Sequence, residues 1–525
     1  MINSLVLAVA VVAHDPGYYT SLANHVQRWL SEEKISSRVV TPREMGTALA
    51  NERLAFLVGF ASPTKAEMQT LRAFRARGGK LVVFHSASPA LGELMGVKPV
   101  GYRVAAYPGE WSRMDFSAKV PEGLPSSIMQ TSSVLQRARP ADASGRVVAT
   151  WSDRRGKSTG EPAWIATRAG FWMTHVLTAD GDEEMKARLL GAIAGAADPK
   201  LWNLRSHLAR RDALHGRRRA VALAQTPRKG EIHAVWDHSG CGLYPGDWPR
   251  TMKVLAQSRV TDVFVNVAGA GFAHYPSAVL PRSKTFVQEG DQLAAAVAAG
   301  RGAGIRVHAW MLCFSATRAS PETMASFAKK GWRLRNAKGV LSEYLDPSNE
   351  AVRRHVLAAI AEMQEKYAIS GVHLDFVRWG DGLPKPKDAA LPVSRFVSEA
   401  RRTVKRPKWL TAAVYGKYPN CISSVGQDWI GWIDSGTVDY AVPMDYCESA
   451  QSFETLLSGH ASAKGRARRV IVGIGVTANE SRLDAIKVME QINIVRKYGF
   501  AGESLFDLDM TLEKSILPYL RLGIW

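Results

Sequence analysis

Cysteine is scarce in this chain of 525 residues, and acidic side chains are outnumbered. Each shortage excludes something. The four cysteines, Cys241, Cys313, Cys421 and Cys447, lie far apart with no Cys-x-x-Cys pair, which excludes the usual structural zinc modules. Cys241, Cys313 and Cys447 each fall near a predicted strand end, so the sequence leaves open either one bridge or free thiols. Long apolar runs are also missing. The best candidate, residues 4–13, is too short to span a bilayer and has no Lys or Arg ahead of it. It reads as a buried first strand, because His14-Asp-Pro-Gly17 follows at once, and no targeting address can be read. No Gly-x-Gly-x-x-Gly loop opens the chain to cradle a phosphate. Asp237, His238 and His308 lack the spacing of a metal-ligand set, so neither metal nor cofactor is expected.

Lys and Arg number 68 against 48 acidic residues, a formal charge of +20 that favours polyanionic partners without choosing among them. Much of the excess lies in residues 205–229, where Arg210, Arg211, Arg217, Arg218 and Arg219 recur with little apolar periodicity. This segment reads as a solvated basic linker rather than a docking patch. Nucleic acid is an unlikely partner, since no nucleic-acid fold signature accompanies the charge. With 46% hydrophobic residues, the chain is long enough for two cores.

Strand and helix alternate through the amino-terminal half. Strands are expected at residues 5–13, 37–41, 54–60 and 80–85, with helices at 18–34 and 65–77 between them; the stretch from Gly170 and a helix at 183–196 would close the sheet. This order reads as a doubly wound parallel sheet. It resembles the flavodoxin-like fold of class I glutamine-amidotransferase-type domains, including their trehalose-utilisation-like versions. Those enzymes need a cysteine nucleophile on a sharp strand-to-helix turn, and the first cysteine here is Cys241. The corresponding turn reads Phe84-His-Ser-Ala-Ser-Pro89, and adjacent His85 and Ser86 would point to opposite faces. Residues 1–204 are therefore expected to form a scaffold or carbohydrate-docking domain without its own catalysis.

From residue 230 to 525 the alternation is more regular. Strands are expected at 232–238, 262–268, 306–314, 371–379, 410–415, 438–446, 469–476 and 503–509, separated by helical stretches such as 349–367 and 481–498. Eight such units over this length fit a (β/α)8 TIM barrel, in which chemistry is done at the carboxyl ends of the strands. The fourth run, Gly371-Val-His-Leu-Asp-Phe-Val-Arg-Trp-Gly380, carries Asp375 toward that rim, followed by Arg378 and Trp379. Alternation puts His373 and Asp375 on one face. Other strands add Asp237, Asn266, His308, Trp310, Tyr415, Asp445, Tyr446 and Asp507, with Glu448 in the loop after the sixth. Convergence of polar groups on one rim is harder to explain by packing than any single residue is. Plainer roles stand beside these. His308 could be a hydrogen-bonded core histidine, Asp509 a cap of the last helix, Asp346 a turn residue, and Trp236, Trp310, Trp379 and Trp429 core rather than sugar platforms.

On these pieces the second half resembles the family-10-like glycosyl hydrolases, a bacterial group of barrel enzymes. Matching segments are Tyr275-Pro-Ser-Ala-Val-Leu-Pro281, Val307-His-Ala-Trp310, Leu345-Asp-Pro-Ser-Asn349, Gly371 to Arg378 and Val438-Asp-Tyr-Ala-Val-Pro-Met-Asp-Tyr446. The resemblance implies a glycosidase acting on oligo- or polysaccharide, an extracytoplasmic setting, and Asp375 as main catalytic carboxylate. The fourth strand is also similar to the family 18 chitinase motif, but Val377 stands where that motif ends in its Glu acid. Glycoside hydrolysis ordinarily needs two carboxyl groups. The expected partner of Asp375 is Asp445, then Glu448, with Asp237 and Asp507 behind them, although parity counts against Asp445. Asp237, Asn266, His308, Trp310, His373, Arg378, Trp379, Tyr415, Tyr446 and Asp507 are the expected substrate contacts. A carbohydrate-binding barrel that has lost its catalytic pair is the alternative.

Overall fold

Runs of Val, Ile, Leu and Phe buried on both faces build the parallel strands of two separate sheets, because such strands must be covered by helices on each side. The computed structural model describes residues 9–14, 17–107, 109–117, 121–179, 181–460 and 465–525. The chain divides into two units, Met1–Gly216 and Arg217–Trp525.

In the amino-terminal unit, parallel strands lie side by side in the order Ser37–Val40, Val9–Ala13, Leu54–Val58, Lys80–Phe84 and Gly170–Met173. Residues 5–8 of the expected first strand lie outside the described residues. Four antiparallel strands, Ser158–Thr167, Arg146–Ser152, Trp111–Phe116 and Ser127–Ser132, continue the sheet, so it is mixed rather than purely parallel. Two apolar clusters cover its faces. One is centred on Trp29, Phe56, Phe84 and Trp164, the other on Leu57, Leu71, Phe74 and Trp172. Ser86 is buried and donates to the Phe60 carbonyl at 2.5 Å, while His85 packs edge-on against His175. Both residues lie beyond the strand end at Phe84, and His85 has left-handed backbone (φ 49°), so strand parity does not govern the pair.

The basic stretch expected to be a solvated linker is instead largely helical, Leu204–Leu223. Three of its charges face carboxylates: Arg210 pairs with Glu33, Arg211 with Glu184, and Arg218 faces Asp484 at 3.9 Å. Paired charge, rather than an apolar stripe, explains why the sequence hid this helix.

The carboxyl-terminal unit is a closed barrel of eight parallel strands: β1 Ile232–Asp237, β2 Asp262–Gly269, β3 Arg306–Leu312, β4 Gly371–Asp375, β5 Trp409–Tyr415, β6 Tyr440–Met444, β7 Ile471–Gly475 and β8 Gly502–Phe506. Pairing of β1 with β2 on one side and with β8 on the other completes the ring. At that seam Ile232 faces Gly502, and a Cβ on Gly502 would collide with the Ile232 carbonyl. Inward side chains, among them Trp236, Phe264, Trp310 and Val442, fill the lumen as a packed core. Every strand except β2 and β5 ends short of its expected limit, because the polypeptide turns at the rim. The sharpest case is β4, which stops at Asp375 where Phe376 adopts φ 47°. A bulky residue in left-handed backbone is costly and marks a position held by its surroundings.

All four cysteines are free thiols, so no bridge forms. Among the described residues no helix is long and apolar enough to cross a membrane.

Candidate active site

The carboxyl ends of the barrel strands gather one aromatic cluster and three carboxyl groups. Trp236 from β1 meets His373 (ring centroids 6.0 Å apart), Tyr446 (6.4 Å) and Phe506 (6.1 Å). Tyr446 and Phe506 stack at 5.4 Å, and exposed His238 bridges Phe506 and Trp310, 5.9 Å from each.

Asp375 ends β4 within this cluster and is 6% exposed. Its Oδ2 accepts the Trp310 indole N–H at 3.1 Å; Oδ1 accepts the Phe376 amide at 2.6 Å and faces the Arg378 guanidinium at 3.4 Å. Arg378 is itself fixed between two aromatic faces, 4.0 Å from the Phe376 centroid and 4.8 Å from that of Tyr415. The left-handed turn at Phe376 lets Arg378 fold back over that ring and reach Asp375. Asp381 secures the far side, accepting from the Tyr415 hydroxyl at 2.6 Å and facing Arg378 at 3.8 Å. The carboxylate is thus oriented by groups that are themselves held, which is what positioned chemistry needs.

Asn266 lies in register with Trp310, fully buried, and neither its amide oxygen nor its nitrogen has a hydrogen-bond partner among the described residues. Such unmet polar capacity in a lumen is costly unless something fills it.

The other two carboxyl groups stand at the ends of β1 and β8. Asp237 is fully buried and accepts from Ser239 Oγ at 2.6 Å and the Gly242 amide at 2.9 Å; burial outweighs these bonds and raises its pKa. Asp507 follows β8, half-buried, with Thr477 donating to Oδ1 at 3.1 Å. Burial, reinforced by the charge of Asp237, pushes its pKa up to about 6 against the Thr477 hydrogen bond.

Several expected residues are placed elsewhere. Asp445 is fully buried and bonded to His460 Nε2 at 3.1 Å, beside Trp429 on the helix side, not turned inward toward Asp375. Glu448 is exposed and holds Lys487 and the Arg482 amide. His308 is fully buried low in the lumen, bonded to Asp262 at 2.8 Å, and is a core histidine rather than a sugar contact. His373 is walled in as well. Trp236 can only donate, at 2.9 Å to Nε2, so Nδ1 carries the proton and donates to Thr411 Oγ1 at 2.8 Å. Burial, aided by nearby His308, holds that imidazole neutral. Trp379 is buried with its indole N–H on the Ala389 carbonyl, so it is core and not a platform. Asp509 caps the first turn of the last helical segment through the Leu512 amide, and Asp346 braces Ser348.

Sequence reasoning missed two groups, Thr477 beside Asp507 and exposed Arg318, whose guanidinium stacks over Phe272 and lies 3.2 Å from His274 Nε2. Both come from irregular segments after strands, where no periodicity flags them. Among the described residues no cluster of three or more His, Cys, Asp or Glu side chains is arranged to hold a metal.

The eight-stranded ring with its intervening helices is the architecture of a (β/α)8 barrel. Among solved structures, the chain is similar to the glycoside hydrolase domain of PgaB from Bordetella bronchiseptica, with 15% identity, a TM-score of 0.43, and coverage of 56% of this chain and 99% of that one. It is also similar to an α-L-fucosidase from Paenibacillus thiaminolyticus (12% identity, TM-score 0.39, covering 56% and 48%) and a chitinase from Rhizomucor miehei (12%, 0.37, covering 55% and 99%). No protein-family model matches the chain, and no curated protein does.

Proposed function

We propose that the barrel is a glycoside hydrolase of the family-10-like kind, acting on a polysaccharide or amino-sugar glycan, with Asp375 as its main catalytic carboxylate. The observation that carries this reading is the setting of Asp375. It ends a barrel strand among aromatic rings, with its oxygens oriented by Trp310, the Phe376 amide and Arg378. The half-buried rings of Tyr446 and Phe506, backed by buried Trp236, offer apolar surface for the C–H face of a sugar. The family-10-like resemblance favours a setting outside the cytoplasm.

The five parallel strands of the amino-terminal unit run in the order second, first, third, fourth, fifth along the chain, which supports a flavodoxin-like assignment for that part of the sheet. Lacking any cysteine, it would serve the barrel without amidotransferase chemistry of its own.

Val377, fully buried where the chitinase-type motif has its acid, favours a second reading, a binding barrel without turnover. One experiment separates the two. Reducing-end release across a polysaccharide panel, measured for wild type and Asp375→Asn, should fall about 10²–10⁴-fold in the variant while its melting temperature holds. Binding with no release by wild type would establish the second reading, and unchanged turnover in Asp375→Asn would remove Asp375 from the mechanism.

A further inference from the structure

In a ring of eight strands β4 and β8 occupy opposite stations, so residues ending them face one another across the mouth. Asp375 ends β4 and Asp507 follows β8. Between them lies the ring of Tyr446, stacked on Phe506 and subject to the charges of both Asp375 and Asp507. Thr477 fixes Oδ1 of Asp507 at 3.1 Å, and Oδ2 has no protein partner among the described residues.

We propose that Asp507 is the proton donor of the hydrolase, delivering the proton on Oδ2 to the glycosidic oxygen from the side of the mouth opposite Asp375. This rests on the hydrolase reading and replaces Asp445 and Glu448 as partner. As the bond from the anomeric carbon to the leaving oxygen breaks, its electron pair stays on that oxygen, which takes the proton of Asp507. Over the turnover one water is consumed: its oxygen ends on the anomeric carbon and its proton restores the acid. A carboxyl group must remain protonated near neutral pH to do this, and the surroundings of Asp507 favour that form. The ionisable groups around it are Asp237 from β1 and Arg482 from the loop after β7, with Tyr446 from β6 near by. Asp237 raises the pKa and Arg482 lowers it.

The test pairs Asp507→Asn with Asp375→Asn on two substrate types. One is the panel polysaccharide cleaved by wild type; the other is a set of 2,4-dinitrophenyl glycosides of glucose, galactose, fucose and N-acetylglucosamine, whose leaving group needs no proton. Asp507→Asn should lose about 10²–10⁴-fold on polysaccharide, less than about tenfold on the aryl glycoside, and the basic limb of its pH–rate profile. Asp375→Asn should lose both activities. Thr477→Val, which removes a bond favouring the anion, should move the basic limb of an otherwise active enzyme to higher pH. Equal losses by Asp507→Asn on both substrates, or an unmoved basic limb in both variants, would overturn the assignment while leaving Asp375 in place. If wild type cleaves neither type of substrate, the hydrolase reading falls, and this one with it.

Discussion

Removing the Asp262 side chain should destabilise the barrel strongly, and pH should reveal the cause. Asp262 opens β2 at the closed end of the lumen with no exposed surface. Its carboxylate accepts from Arg306 Nε and Nη2 at 2.7 Å each, His308 Nε2 at 2.8 Å and Thr261 Oγ1 at 2.6 Å. Arg306 and His308 both lie on the Trp409 ring, with centroid distances of 4.5 and 5.2 Å. Burial alone would raise the pKa of Asp262, but bonds and charge from Arg306 and His308 overcome it and hold the group well below the usual carboxylate range. Asp262→Ala strands buried His308, while half-exposed Arg306 can turn to water, so the loss is on the order of 3 kcal/mol, the low end for a broken buried ion pair. At about 2 °C per kcal/mol for a unit this large, the melting temperature should fall by roughly 6 °C at pH 7. A carboxylate with a depressed folded pKa contributes stability that is fully present above its unfolded value near ~4 and is lost as pH falls through the folded value. The gap between wild type and variant should therefore hold down to about pH 4 and narrow below it. Melting curves followed by tryptophan fluorescence at pH 7, 4 and 3 would measure this. A shift under about 1 °C at pH 7, or a gap indifferent to acid, would refute the reasoning.

Two further outcomes follow from the same packing. Trp525 is 2% exposed, stacks on His233 at 4.9 Å and donates to Glu503 at 2.7 Å, so Trp525→Ala should cost about 3–5 kcal/mol; an unchanged urea midpoint would contradict that. Cys241, Cys313 and Cys421 are buried and Cys447 half-buried, and burial pushes the Cys421 thiol up to about 11. An aromatic disulfide reagent should thus label at most one thiol promptly in the native protein and all four after unfolding without reductant; a total below four would indicate a bridge.

The barrel was legible because each of its strands is an apolar run punctuated by turns, a pattern that survives without knowledge of partners. Strand ends were not. The run through Val377 looks like continued strand, yet the backbone reverses at Phe376, a consequence of contacts with Arg378 and Tyr344 that no local pattern carries. Alternation correctly grouped His373 with Asp375 and counted against Asp445, which the fold turns to His460. It could not say how deep each inward residue lies, so His308 and His373, sealed in the core, read like the half-buried rim residue Tyr446. The antiparallel strands between residues 111 and 167 went unread because they combine short alternations with many half-exposed polar positions.

The seam where β1 meets β8 gives one glycine unusual leverage. Because Gly502 admits the Ile232 carbonyl where a methyl group would stand, the last strand can lock against the first without sliding. Asp237 and Asp507 are delivered by the two partners of that junction. A larger residue at 502 would alter their mutual spacing, and with it the acidity of Asp507, from the opposite end of a five-residue strand. Tuning of the rim could therefore begin at a position that touches no sugar.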